Sequence, residues 1–302
     1  MRKLASSIVG LAALGLFPSG AAALIVTQTT DGTGLRDALV ANPSDFGDIT
    51  ATYTVGDPSQ VGTYTGFSSL PVTIGNGVVL STGRAIDTVG PYNNSAPFGD
   101  GAVSTAIGGP STPEIDAYSL SHVTSWSNGN DAAVLMLEFD LDNPSAIAFS
   151  FIFGSVEYPV YTSQFTDAFL VFLDGNQITF DSLGNPVQVG NSFASQLRID
   201  DTNTIFTGVG ADFGNNAHGL LDTLITTSGT LDSGPHTILF EVSDTNDQQL
   251  DSAVFITNFR LASNQGGPDT EPETEDVPEP TTLTLFALGL AGLGILRRKR
   301  TA

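Results

Sequence analysis

The stretch AIAFSFIF (146–153) sets Ile147, Phe149, Phe151 and Phe153 two residues apart. That spacing puts four large apolar side chains on one face of an extended strand, and on no single face of a helix. Such a face must be buried against a second layer. HTILFEV (236–242) does the same with Ile238, Phe240 and Val242. SAVFITNFRL (252–261) alternates Ala253, Phe255, Thr257, Phe259 and Leu261 against a more polar face. AFLVFL (168–173) is apolar on both faces and predicts a central, covered strand. It runs into Asp174–Gly175–Asn176, a strong hairpin-turn signal. Further strands are predicted at 48–55, 77–82, 132–141 and 223–229. Helix signals are sparse: Asp31 and Thr33 are capping candidates for a short helix through GLRDALVA (34–41), with Leu35 and Leu39 on one side. The pattern predicts an all-β fold, one antiparallel β-sandwich of jelly-roll-like kind. No repeat of fixed period is present, which argues against a solenoid or propeller.

The two ends read differently. Arg2 and Lys3 precede an apolar run from Ile8 to Phe17, a break at Pro18–Gly20, and Ala21–Ala22–Ala23. This is the layout of a secretory signal peptide, 1–23, with Ala21 and Ala23 as the cleavage signal. At the other end, residues 264–277 are almost devoid of apolar side chains and predict a disordered acidic linker. Pro278–Glu279–Pro280 follow, then an apolar run 281–296, then the basic group Arg297, Arg298, Lys299 and Arg300. The body is expected to span 24–263.

Charge excludes some functions. Residues 24–280 hold four arginines, no lysine and all 32 acidic residues, a net charge of −28. Nucleic-acid binding requires a basic footprint and is ruled out, as is direct adhesion to anionic lipid. With no cysteine, neither a disulfide framework nor thiol chemistry is available.

Catalytic patterns are sparse. There is no G-x-S-x-G elbow, and His122, His218 and His236 are scattered without metal-ligand spacing. A glycosidase pair among so many carboxylates would carry no sequence spacing. Calcium is the candidate cofactor, since hard oxygen ligands suit it. DTNDQQLD (244–251) is the nearest local pattern, without the central Gly and final Glu of an EF-hand loop. Glu157, Asp167 and Asp251 adjoin strongly apolar runs, where a carboxylate is costly unless it is ligated, paired or capping backbone. Trp126, the single tryptophan, is either a sugar-stacking platform or a packing residue.

VPEP, a short apolar span and RRKR in that order resemble the PEP-CTERM sorting signal. The resemblance implies recognition by an exosortase, a membrane transpeptidase-like enzyme of Gram-negative bacteria that make exopolysaccharide. The body resembles the choice-of-anchor L domain through LRDALVANPSDFGDITATYTV, GTYTGF, GNGVVLSTG, DAAVLMLEFDL, FSFIFGSVEYP, FTDAFLVFLDG, HGLLDTL and DSAVFITNF. That family implies extracellular surface placement rather than a reaction. Its acidic cluster around Tyr-Pro is reduced here, with Val156 and Val160 in two of the acidic places and Glu157 left. Thr166 stands where the family has Asn, before the retained Asp167.

The expected function is that of a secreted, exosortase-processed surface or matrix protein of a Gram-negative bacterium, structural or adhesive in exopolysaccharide. It is not expected to be an enzyme. The alternatives are a calcium-dependent, lectin-like glycan-binding module and, third, a polysaccharide hydrolase. The apolar run 281–296 spans ~24 Å as a helix, short against a hydrocarbon core of ~30 Å. The basic group would hold the C-terminus in the cytoplasm, so a transient inner-membrane insertion is expected before the tail is removed. Pro278, Glu279 and Pro280 then lie at the outer boundary, as the sorting motif.

Overall fold

The computed structural model describes residues 23–68, 73–90, 104–123, 127–159, 161–162, 165–196, 203–206, 219–222 and 224–262. The expected signal helix, Ala21, Trp126, His218, the linker, the sorting motif, the apolar run 281–296 and Arg297–Arg300 lie outside these residues. Ala23 is exposed, just ahead of the first strand.

Twelve strands run in chain order: β1 Ile25–Gln28, β2 Ile49–Val55, β3 Val61–Ser68, β4 Thr73–Ser81, β5 Gly129–Leu141, β6 Ala146–Ser155, β7 Ala168–Leu173, β8 Asn176–Gln177, β9 Val187–Gln188, β10 Leu224–Thr227, β11 Gly234–Thr245 and β12 Ser252–Ala262. They make two antiparallel sheets. The first has the order β1-β3-β4-β12-β6-β10; the second has β2-β5-β11-β7-β8, with β9 also pairing β7. The chain passes repeatedly between the sheets, so strands consecutive in sequence often lie in opposite layers. Among the described residues, helices are few: α1 Gly32–Leu39, α2 Pro113–His122, α3 Asn191–Ser195 and three short 3-10 turns.

The main core lies between the sheets. Phe149, Phe151 and Phe153 of β6 meet Phe169 of β7 and Phe240 of β11 there, with Phe149 and Phe240 edge-to-face at 5.1 Å. The predicted period-two faces of β6 and β11 are therefore the inner faces. A second apolar layer covers the outside of the first sheet, where Tyr64, Phe67, Ile152, Phe206 and Phe255 pack. A third cluster joins α2 to the outside of β7 through Ile115, Leu170 and Phe172. This outer cover explains why β7 is buried at every position. β7 is covered as predicted, but it is not central: β11 flanks one side and only the two-residue strands β8 and β9 the other.

The β7 turn forms as expected, while α1 runs over Gly32–Leu39 rather than 34–41, which puts Thr33 inside the helix and leaves Asp31 as its cap. Asp31 caps α1 by accepting from Gly34 N at 3.0 Å, and Leu35 and Leu39 enter the main core. Asp174 and Gly175 both have positive φ, 49° and 78°, the conformation of a two-residue hairpin turn that matches strand twist.

β12 departs from its predicted face. Val254 and Ile256, not Ala253 and Phe255, point into the main core, while Ala253 and Phe255 join the outer layer. A register shift between Thr257 and Arg260, with Asn258 at φ 58°, then brings Phe259 back to the inner face. One extra residue inverts the alternation. Phe259 stacks on Phe46 at 5.5 Å and meets Phe139 edge-on at 5.5 Å.

Candidate functional site

One end of the sandwich concentrates buried carboxylates. There β4, β6, β11 and the start of β7 and β12 leave their sheets. β11 pairs with β7 as far as Ser243↔Ala168, and Asp244 and Asp167 are the next residue on each chain. Two acids brought this close repel unless something neutralises them. Across the gap between sheets, Ser252 of β12 donates to Asp167 Oδ2 at 2.7 Å. The amide of Thr245 donates to Asp167 Oδ1 at 3.0 Å. Glu157 follows β6, in the turn that ends at the cis bond Tyr158–Pro159, with its amide donating to Ser155 Oγ at 3.1 Å.

Glu157 and Asp167 have no exposed surface, and Asp244 almost none. Their hydrogen bonding is unequal. Asp167 has a donor on each oxygen, which favours its anion, yet burial outweighs them and lifts it to about 7. The carboxyl of Asp244 lies against Thr82 and Asp167, and its Oδ1 has no partner. Both carboxylate oxygens of Glu157 lack a hydrogen bond. Burial is the main force raising Glu157 far above the usual carboxylate range, and the charges of Asp167 and Asp247 add to it; the nearby Asp167 amide opposes weakly. Asp244 is raised well above its ordinary value by burial, then by the charges of Asp167, Asp251 and Glu157. Asp247, half-buried, sits on the solvent side of the group and is itself raised by burial.

The sequence-predicted set is thus partly assembled. Glu157 and Asp167 come together at this end. Asp251 lies at the same end, but its carboxylate holds the loop before α2, accepting from Thr105 N at 2.7 Å, and burial lifts it to about 7. Asp131 is a second loop anchor, accepting from Ile107 N at 3.1 Å and from Gly108 N. Gly83 is required beside Asp251, because a Cβ there would stand 1.8 Å from Asp251 Oδ2. Asp244 and Asp247 belong to the group although neither stands out individually in the sequence. Their signal was the acidic segment 244–251 closing the apolar alternation of β11. Among the described residues, no three carboxylate or imidazole side chains already stand as a ready-made metal shell.

A concavity of about 310 Å³ lies over β2, β5 and β11, lined by Asp48, Glu138, Asp140 and His236 among others. His236 there is held by Asp174 Oδ2 at 2.7 Å and the Asp232 carbonyl at 2.9 Å. It is a turn-anchoring histidine. His122 bonds the Tyr118 carbonyl at 2.8 Å, within α2. Among the described residues, no helix is long and apolar enough to cross a membrane.

No curated protein matches the chain. Among solved structures, a β-glucosidase from Kluyveromyces marxianus aligns at 10% identity and a TM-score of 0.23, over 68% of this chain and 19% of that one. A carbohydrate-binding module specific for non-crystalline cellulose aligns at 17% identity and a TM-score of 0.18, over 45% of this chain and 75% of that one. The present chain spans about a fifth of the glucosidase. Likeness at this level carries no argument about function. Residues 276–300 match the PEP-CTERM protein-sorting motif. Residues 27–260, which contain every strand from β2 to β11 and nearly all of the sandwich, match the choice-of-anchor L domain, and the chain belongs to that family.

Proposed function

We propose that the protein is a surface or extracellular-matrix protein of a Gram-negative bacterium, exported, processed by an exosortase near Pro278–Glu279–Pro280, and structural or adhesive within exopolysaccharide. The observation that carries this reading is the order of the two matches: a choice-of-anchor L body over 27–260, then a sorting motif over 276–300. The chemistry of the intervening and flanking segments supports it. Residues 264–277 are polar and acidic, the composition of a linker between body and sorting motif. The apolar run 281–296 is short for a permanent anchor. Arg297, Arg298, Lys299 and Arg300 favour a cytoplasmic C-terminus, opposite to the exported body. An anionic body would associate with acidic polysaccharide through bridging cations rather than directly.

Removal of residues 278–302 in a strain that carries the processing enzyme should change where the protein accumulates. The native extracellular protein should in turn have an intact mass lacking the apolar run. Unchanged placement together with an unshortened mass would remove the sorting reading.

A further inference from the structure

The carboxylate group at the end of the sandwich is not used in the sorting reading, and some of its buried oxygens have no hydrogen-bond partner. Fully buried acids are retained when they are paired, bonded or ligated. Asp167 is bonded on both oxygens. Glu157 is not bonded on either, though it has no exposed surface, and Asp244 Oδ1 is also unbonded. The charges that act on Glu157 and Asp244 are all acidic. Among the described residues, the ion pairs Arg36–Asp37, Arg84–Asp87 and His236–Asp174 lie elsewhere. What the oxygens of Glu157 and Asp244 call for is positive charge.

We propose that Glu157, Asp167 and Asp244 hold a hard divalent cation of the calcium class between the two sheets, with Asp247 on its solvent side. The donor chemistry selects the ion. All candidate ligands are oxygens, carboxylate or hydroxyl, with no sulfur or imidazole in the group, which suits calcium over zinc or copper. The unbonded oxygens belong to Glu157 and Asp244, the side chains left without hydrogen-bonding commitments on those atoms. Binding would draw them together, while Asp167 keeps its bonds to Thr245 and Ser252. Asp251, engaged by Thr105, stays a loop anchor and contributes charge. Asp244 ends β11 and Asp247 and Asp251 follow in the connection to β12, so the ion would also brace that connection against β7 and the turn after β6. This inference is independent of the sorting reading, because it concerns the body alone.

The test uses the full chain, stripped with chelator and then titrated with calcium, with magnesium and sodium as ionic-strength controls. Calcium should raise the melting temperature saturably, by about 5 °C at roughly a hundredfold excess over Kd. Glu157→Gln, which keeps the shape and removes the charge, should abolish that rise, and Asp244→Asn should weaken calcium binding tenfold or more. Glu241→Gln, a buried acid outside the group, should leave the response intact. Terbium provides a second readout should Glu157→Gln not fold: its emission should be sensitised by Tyr158 beside Glu157, and displaced by calcium. No saturable calcium shift beyond the sodium control, or an undiminished shift in Glu157→Gln, would overturn the proposal. A Glu157→Gln variant more stable than the parent in chelator, with neither responding to calcium, would overturn it in favour of protons alone neutralising the group.

Discussion

Asp174 serves both a turn and a histidine. It occupies the first position of the β7–β8 turn, and its two oxygens reach back to β11: Oδ2 to His236 Nδ1 at 2.7 Å, Oδ1 to Thr237 N at 2.9 Å. Burial pulls the imidazole pKa down, but the bonds to Asp174 and the Asp232 carbonyl, and the charges of both acids, more than compensate and raise it. The charged ring is therefore favoured in the fold. Its contribution to stability is complete below the unfolded value of ~6.5 and fades as pH rises through the higher folded value. Asp174→Asn should remove that dependence. Melting temperatures of the two proteins should differ most in mild acid and converge in mild alkali, and histidine NMR should show the His236 pKa falling in the variant. The turn was legible in the sequence, since Asp-Gly is itself a local conformational preference. The partner of His236 was not, because it lies 62 residues away.

At the scale of elements, β11 and β12 show how far a period can be trusted. In β11, Ile238, Phe240 and Val242 face the core, as their spacing predicts, and Glu241 faces outward beneath α2. There it accepts from Ser243 Oγ at 2.7 Å and Thr112 Oγ1 at 3.2 Å, yet burial still raises it to about 8. For an acid raised in the fold, the neutral form is the stable one. Stability should fall as pH climbs from the unfolded value of ~4.3 to about 8, then level off. Glu241→Gln should be nearly silent in acid and stabilising at and above pH ~8, by on the order of a few kcal/mol, in denaturant melts across pH. β12 misleads because its alternation holds only up to the bulge. Asn258 at φ 58° is a residue type that tolerates the left-handed region. Asn258→Val should cost ~1–2 kcal/mol, while Asn258→Gly should be close to neutral. If valine is tolerated as well as glycine, the bulge is not what turns Phe259 inward.

At the scale of the whole molecule, uncompensated negative charge prevails. Residues 24–263 hold 26 acidic residues and four arginines, a net −22, so the compact body repels itself. Raising monovalent salt from very low ionic strength to about 0.15 M, where the screening length is ~8 Å, should raise the melting temperature by a few degrees. A flat response would mean that the acids are already neutralised locally. The sequence by itself determined the fold class, the principal strands, the cap of α1, the β7 turn and the tripartite tail. All of these rest on side-chain periods or on motifs within a few adjacent residues. Tertiary structure alone decided which face of β12 is inner, that β7 is covered by α2 without being central, and which acids share a space. Asp167, Asp244 and Glu157 meet because strands from two sheets end together, and Asp251 turns aside because a loop amide claims it. Facing carboxylates acquire their meaning from burial and distance, and neither is written in the local order of residues.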